Sequence, residues 1–272
     1  MSDLLNSYKV AKFPVHLDIA DKQVFIRPIS HADMKPTLEL IDGLKSKKRG
    51  EEGLTPQEAA QLLAAKEQII DACIMPNSMG EKIYARNLHQ ADLVRLFHEL
   101  KMITSGNRDN EIYFECVNEN CEDKQKKRYS KKFIFQWEDC ELRNKDYDET
   151  SVSFMNVDQE ITFHLKPYTF DILLNNIEMF SMNKNTKLVD ILDRFHASFI
   201  RSIDIGEKSY DNLSQKEIIE FLGKCSDSDL LPLMKYIGKQ PMWVWEKEDW
   251  TCPHCGALNT AKIADIAGFF SI

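Results

Sequence analysis

The sequence predicts an α+β protein made of two tandem repeats of one unit: hairpin, helices, strand and cysteine knuckle. Three observations carry this. Each half contains a pair of short runs in which apolar and polar residues alternate, at 13–29 and 152–168, the period-two signature of paired strands. Each then passes through apolar-striped helical segments, of which "DLVRLFHELK" (92–101) answers "DLLPLMKYIG" (229–238). Each ends on a strand that runs into a closely spaced cysteine pair, Cys116 with Cys121 and Cys252 with Cys255. The landmark offsets agree: 64 residues from Pro28 to Asp92 against 62 from Pro167 to Asp229, and 24 from Asp92 to Cys116 against 23 from Asp229 to Cys252. The units are read as 1–140 and 141–272, with the polar, acidic run 139–151 as the linker between them.

In the first hairpin, "FPVHLDIADKQVFIRPI", Val15, Leu17 and Ile19 alternate with polar residues before a turn, and Val24 and Ile26 alternate after it. Ser30 is the expected N-cap of a first helix, with Asp33 at its third position. "KSKKRGEEG" (45–53) reads as a charged loop. The next helix, 55–74, opens with a capping box of Thr55 and Glu58, has Pro56 at its first position, and carries Leu62, Leu63, Ile69, Ile70 and Cys73 on one stripe. A helix over 89–103 precedes the strand "NEIYFEC". The second half offers the alternating pair "VSFMNVDQEITFHLKPY", helices at 186–200 and 214–225, the latter with a Ser214–Glu217 capping box, and the strand segment "EDWTC".

The seven cysteines accompany an N-terminal stretch without the apolar core of a secretory signal. No apolar run approaches the roughly 18 residues of a membrane span, so a cytosolic setting is expected. There disulfides are unusual, and paired cysteines point to metal. Cys73, Cys140 and Cys225 stand singly in apolar patterns and read as small buried hydrophobes. The Cx4C and Cx2C pairs have knuckle spacing, in which a tight turn aims two thiolates at one ion. One structural Zn2+ held by Cys116, Cys121, Cys252 and Cys255, a zinc-ribbon-like site joining the two units, is the favoured reading. A set that uses His254, and free or redox-active thiols, are the alternatives.

Enzymatic chemistry finds no constellation. "FHELKM" places His98 and Glu99 together, but the second histidine of a metalloprotease helix would fall at Met102. There is no phosphate-binding glycine loop and no nucleophile elbow. The basic run 124–132, with Lys124, Lys126, Lys127, Arg128, Lys131 and Lys132, is the one candidate nucleic-acid patch. It supports the alternative of a zinc-ribbon nucleic-acid-binding regulator. The net charge of −8 and the acidic residues just downstream argue instead for a solvated hairpin tip. After the last knuckle, Ile263, Ile266, Phe269, Phe270 and Ile272 form an apolar chain end, to be docked on the core or offered to a partner.

The combination of "FPVHLDIADKQVFIRPI", a helical run, a strand entering a knuckle, and a second half ending near "CPHCG" resembles the baseplate hub assembly protein family of T4-type contractile-tailed phages. The resemblance is strongest at 13–40 and 88–140, and this chain departs from shorter members by its second knuckle. It implies a non-enzymatic role in building the central hub of the baseplate, as a transient chaperone or as a hub component. The implied partners are other baseplate hub proteins and the tape-measure protein, met in the host cytoplasm. Membranes are not implied.

Overall fold

A computed structural model describes residues 10–46, 56–105, 110–121, 128–176 and 188–263. The first alternating run folds as β1 (Phe13–Leu17) and β2 (Lys22–Ile26), antiparallel with Val15 opposite Val24. Alternation sends Val15, Leu17, Val24 and Ile26 to the buried face. Helix α1 (His31–Ser46) starts where the sequence places it. The Asp33 amide donates to Ser30 Oγ at 3.3 Å, and the Ser30 amide donates back to Asp33 Oδ2 at 2.7 Å. The Arg27 guanidinium grips Asp33 through two bonds of 2.6 and 2.9 Å, holding its carboxyl well below the usual carboxylate range.

Helix α2 (Pro56–Cys73) begins on its proline; Thr55, the expected cap, lies outside the described residues. It buries Ile69, Ile70 and Cys73 and leaves Leu62 and Leu63 half-buried. The two-residue strand β3 (Ile74–Met75) then returns antiparallel beside β2. Helix α3 (Gln90–Ser105) turns Leu93, Leu96 and Leu100 into the same core. Strands β4 (Asn110–Glu115) and β5 (Ser130–Phe135) form an antiparallel pair around the first cysteine pair. A single 3-10 turn (Trp137–Asp139) leads to β6 (Cys140–Arg143). β6 falls inside the run whose polarity reads as a linker; it pairs antiparallel with a strand about a hundred residues on, Glu141 opposite Val244.

The second half also opens on a hairpin followed by two helices and a returning strand, but it adds a further strand and a further helix before its cysteine pair. β7 (Ser151–Asn156) and β8 (Gln159–Leu165) form the hairpin, with Phe154 opposite Ile161. Helices α4 (Phe170–Asn175) and α5 (Leu188–Phe199) intervene. β9 (Ile200–Ile205) then returns antiparallel beside β8, as β3 does beside β2, and β10 (Lys208–Tyr210) is added at its edge. Helices α6 (Gln215–Leu222) and α7 (Asp227–Gly238) both open on complete capping boxes, Ser214 with Glu217 and Ser226 with Asp229. β11 (Met242–Thr251) and β12 (Leu258–Ile263) flank the second cysteine pair. The residues of the apolar chain end beyond Ile263 lie outside the described residues.

The sheets have strand orders β1-β2-β3, β10-β9-β8-β7, β12-β11-β6 and β4-β5. Three cores result. One packs the first hairpin against α2 and α3, and α4 adds Phe170 and Leu173 to it. Another packs β8 and β9 against α5, α6 and α7. The third adjoins the first through Phe97 and takes residues from both halves: Ile112, Cys116, Cys121, Phe135 and Trp137 from one, Trp245, Trp250, Cys252 and Ala261 from the other. The halves also meet at a short bridge, where the Gln90 amide donates to the Tyr168 carbonyl at 2.7 Å and the Phe170 amide to the Leu88 carbonyl at 3.1 Å.

Candidate metal centre

The four paired cysteines converge at one point, three of them inside the third core and Cys255 at its exposed edge. Strand β4 delivers Cys116, whose amide donates to the Tyr129 carbonyl at 2.8 Å; the Tyr129 amide in turn reaches the Cys121 carbonyl at 3.2 Å. The β4–β5 ladder thus continues across the base of the first knuckle. Inside it, the Cys121 amide donates to the Asn118 carbonyl at 3.0 Å and the Asn120 amide to Asn118 Oδ1 at 3.1 Å, a local turn of the kind asparagine favours. In the second knuckle the Cys252 amide donates to the Ala257 carbonyl at 2.8 Å and the Gly256 amide to the Cys252 carbonyl at 2.9 Å. Gly256 has φ of +73°, a left-handed conformation that explains why glycine follows the last cysteine.

Cys116 Sγ lies 3.6 Å from Cys255 Sγ, and Cys121 Sγ lies 3.5 Å from Cys252 Sγ. All four sulfurs are within 4.8 Å of one another. Each close contact joins one knuckle to the other rather than the two cysteines of a single knuckle. These separations are far longer than the ~2.05 Å of a disulfide. They approach the roughly 3.8 Å edge of a tetrahedron with ~2.3 Å metal–sulfur bonds. Cys116, Cys121 and Cys252 are buried and Cys255 is exposed. Burial raises the Cys116 thiol and pushes Cys121 up to about 12, whereas the Ala257 amide brings Cys255 down to about 7. Four thiolates this close repel one another, and a bound divalent cation is what makes the set deprotonate together. The donor set, its spacing and its burial therefore fit a metal ion that the four cysteines could hold.

A side chain that no local sequence signal marks supports the site. Asn259, 2% exposed on β12, accepts from the Val117 amide of the first knuckle at 2.7 Å and donates to the Ala257 carbonyl of the second at 2.8 Å. It bridges the knuckles next to the sulfurs. His254 is exposed and leans on the Tyr129 ring, centroids 4.7 Å apart, outside the sulfur cluster. Of the isolated cysteines, Cys73 is buried, while Cys140 and Cys225 are half-buried.

The other candidates disperse. His98 packs within α3 against Trp137, centroids 4.7 Å apart, and Glu99 pairs with Arg95 at 2.7 Å. Of the basic run, Lys124, Lys126 and Lys127 lie outside the described residues. Arg128 reaches Glu115 at 3.4 Å, Lys132 pairs with Glu111 at 2.6 Å, and Lys131 sits over the Phe133 and Trp250 rings. No helix among the described residues is long and apolar enough to cross a membrane.

The family model described as T4 bacteriophage base plate protein matches residues 10–271, from before β1 to beyond β12. The chain belongs to the T4 bacteriophage base plate protein family. The match takes in both hairpins, both knuckles and the core between them, so these are features of a base plate protein rather than of an appended zinc module. No curated protein and no solved structure matches the chain.

Proposed function

We propose that this base plate protein is a non-enzymatic assembly factor or component of the tail hub, built from two copies of one unit, 1–140 and 141–272, that a single structural zinc clasps together. Cys116, Cys121, Cys252 and Cys255 are its ligands. The observation that carries the reading is the convergence of two knuckles 131 residues apart on one point, each close sulfur pair crossing between halves. Four thiolates leave zinc no open coordination position, so the ion acts as a fastener rather than a catalyst. The duplication is supported by the shared element order and by the return of β3 beside β2 and of β9 beside β8.

Family membership supports base plate partners. Among them we place other hub proteins and the tape-measure protein, met in the host cytoplasm and in the tail itself. The nucleic-acid alternative is weakened because Arg128 and Lys132 are engaged by Glu115 and Glu111 within their own hairpin.

Elemental analysis of the purified chain should find one zinc per molecule. Cys116→Ser and Cys252→Ser should each abolish it and unfold the region around the clasp. A full zinc complement in both variants would refute the shared site. For the hub role, phage lacking this gene should make no complete base plates; normal tails in its absence would overturn the assignment.

A further inference from the structure

The turns of the two hairpins are treated differently. Between β1 and β2 the amides of Ile19 and Ala20 donate to the two carboxylate oxygens of Asp92, each at 2.9 Å, and Asp92 is 1% exposed. The corresponding turn between β7 and β8 is formed by Val157 and Asp158, with Asn156 paired to Gln159. Val157 has φ of +55° and is 88% exposed; Met155, two residues before, is 63% exposed.

A β-branched residue in the left-handed region is sterically strained. Turns that require positive φ select glycine, asparagine or aspartate. Folding stability alone therefore disfavours valine here twice over, once for the backbone and once for the apolar side chain held in water. Strained residues of this kind cluster where function holds them, at active sites, ligand clamps and switch regions. The surroundings are acidic. Asp158 and Glu160 are exposed on the same hairpin, and the Gly206 amide donates to the Glu160 carbonyl at 2.9 Å, bringing the exposed Glu207 alongside. Lys208 is a cation on the neighbouring strand, on a chain of net charge −8.

We infer that the β7–β8 tip is a docking finger: Val157 and Met155 enter an apolar socket with a basic rim on another base plate protein. The inference rests on the proposed role in assembly by protein contact. The socket supplies apolar contact for the two exposed side chains, and its rim supplies charge complementary to Asp158, Glu160 and Glu207.

Complementation of a phage lacking this gene tests it, together with thermal unfolding of the same variants. Val157→Asn suits the left-handed turn, so its melting temperature should stay level or rise by about 1–4 °C. Loss of an apolar anchor should nonetheless cut infectious particles roughly tenfold or more. Val157→Ile keeps the apolar tip and should complement fully. A purely structural residue would move stability and assembly in the same direction. If Val157→Asn complements as well as the wild type, the finger is refuted while the hub role stands; if the wild-type gene itself restores no tails, both fall. With a benzophenone amino acid in place of Val157, ultraviolet cross-linking during tail assembly should give an adduct with another base plate protein at a site bordered by Lys or Arg. No adduct, or one joining two copies of this chain, would overturn the proposal.

Discussion

Asp92 and Asp229 each stand third in the helix that leads to a knuckle strand, yet they face in different directions. Asp229 turns back on its own helix, accepting the Ser226 amide at 2.9 Å to close a capping box. Asp92 reaches away and takes two amides of the first hairpin turn, more than seventy residues earlier in the chain. The start of α3 is capped instead by His89, whose Nδ1 accepts the Ala91 amide at 3.1 Å. With capping handed to the histidine, the acid is free to tie hairpin to helix. In the second half the acid is spent on its own helix, and the hairpin turn is left exposed. One half thus ends as a tied scaffold and the other as a scaffold with a free tip.

The third core belongs to neither half alone. Trp245 on β11 is fully buried, stacked on Phe114 at 5.8 Å and lying edge-on to Phe133 and close to Phe135, all three contributed by the β4–β5 pair. Trp245→Ala should be the most damaging of the substitutions away from the sulfurs, costing about 3–5 kcal/mol in denaturant titration. Because the strands of both knuckles meet at this ring, the proposed zinc clasp should also lose its ion to a chelator more readily in this variant. A variant that lost stability but held zinc as tightly as the wild type would show that the clasp does not depend on the core around it.

A smaller effect sharpens the contrast between the two caps. Burial drives the His89 imidazole down to about 4 from its ordinary 6.5. Between those values the unfolded chain takes up a proton that the folded chain refuses, so stability falls as pH drops through this window and is restored as pH rises. The loss from pH 7 to pH 4 is roughly 3 kcal/mol. Acid also strips thiolate ligands, so the informative quantity is the difference between wild type and His89→Asn, which retains a capping acceptor without titrating. That difference should shrink the slope of urea midpoint against pH; unchanged slopes would remove His89 as its source. Ser226, the counterpart cap, contributes no such slope.

What the sequence made legible was local. Both hairpins, the Ser30–Asp33 and Ser214–Glu217 caps and the two cysteine pairs are each written within a few residues, in alternation, capping chemistry or spacing. The misses were long-range. "CELR" has no clean alternation and reads as linker, yet it becomes β6 because β11 offers it an open edge. Asn259 and Trp245 look ordinary in sequence, and their roles exist only once the two knuckles are side by side. Asp92 serves in the sequence only as a spacing landmark, since nothing nearby announces the hairpin turn that it holds.

That last pair gives the finest discrimination between the halves. Burial raises the Asp92 carboxyl above its usual range, with the Ile19 and Ala20 amides pulling against that shift, so the group keeps a desolvation cost that its hydrogen bonds only partly offset. Asp92→Ala relieves that cost but strands two amide donors, for a net loss of about 1–3 kcal/mol. Asp229→Ala loses a solvent-facing cap contact and should cost at most about 1 kcal/mol. Hydrogen exchange separates the two more sharply than stability does. Asp92→Ala should release protection at Ile19 and Ala20 while α3, still capped by His89, keeps its own; Asp229→Ala should fray the first turn of α7 and leave both hairpins untouched. If Asp92→Ala frays α3 instead, the acid is acting as an ordinary cap, and the difference between the halves disappears.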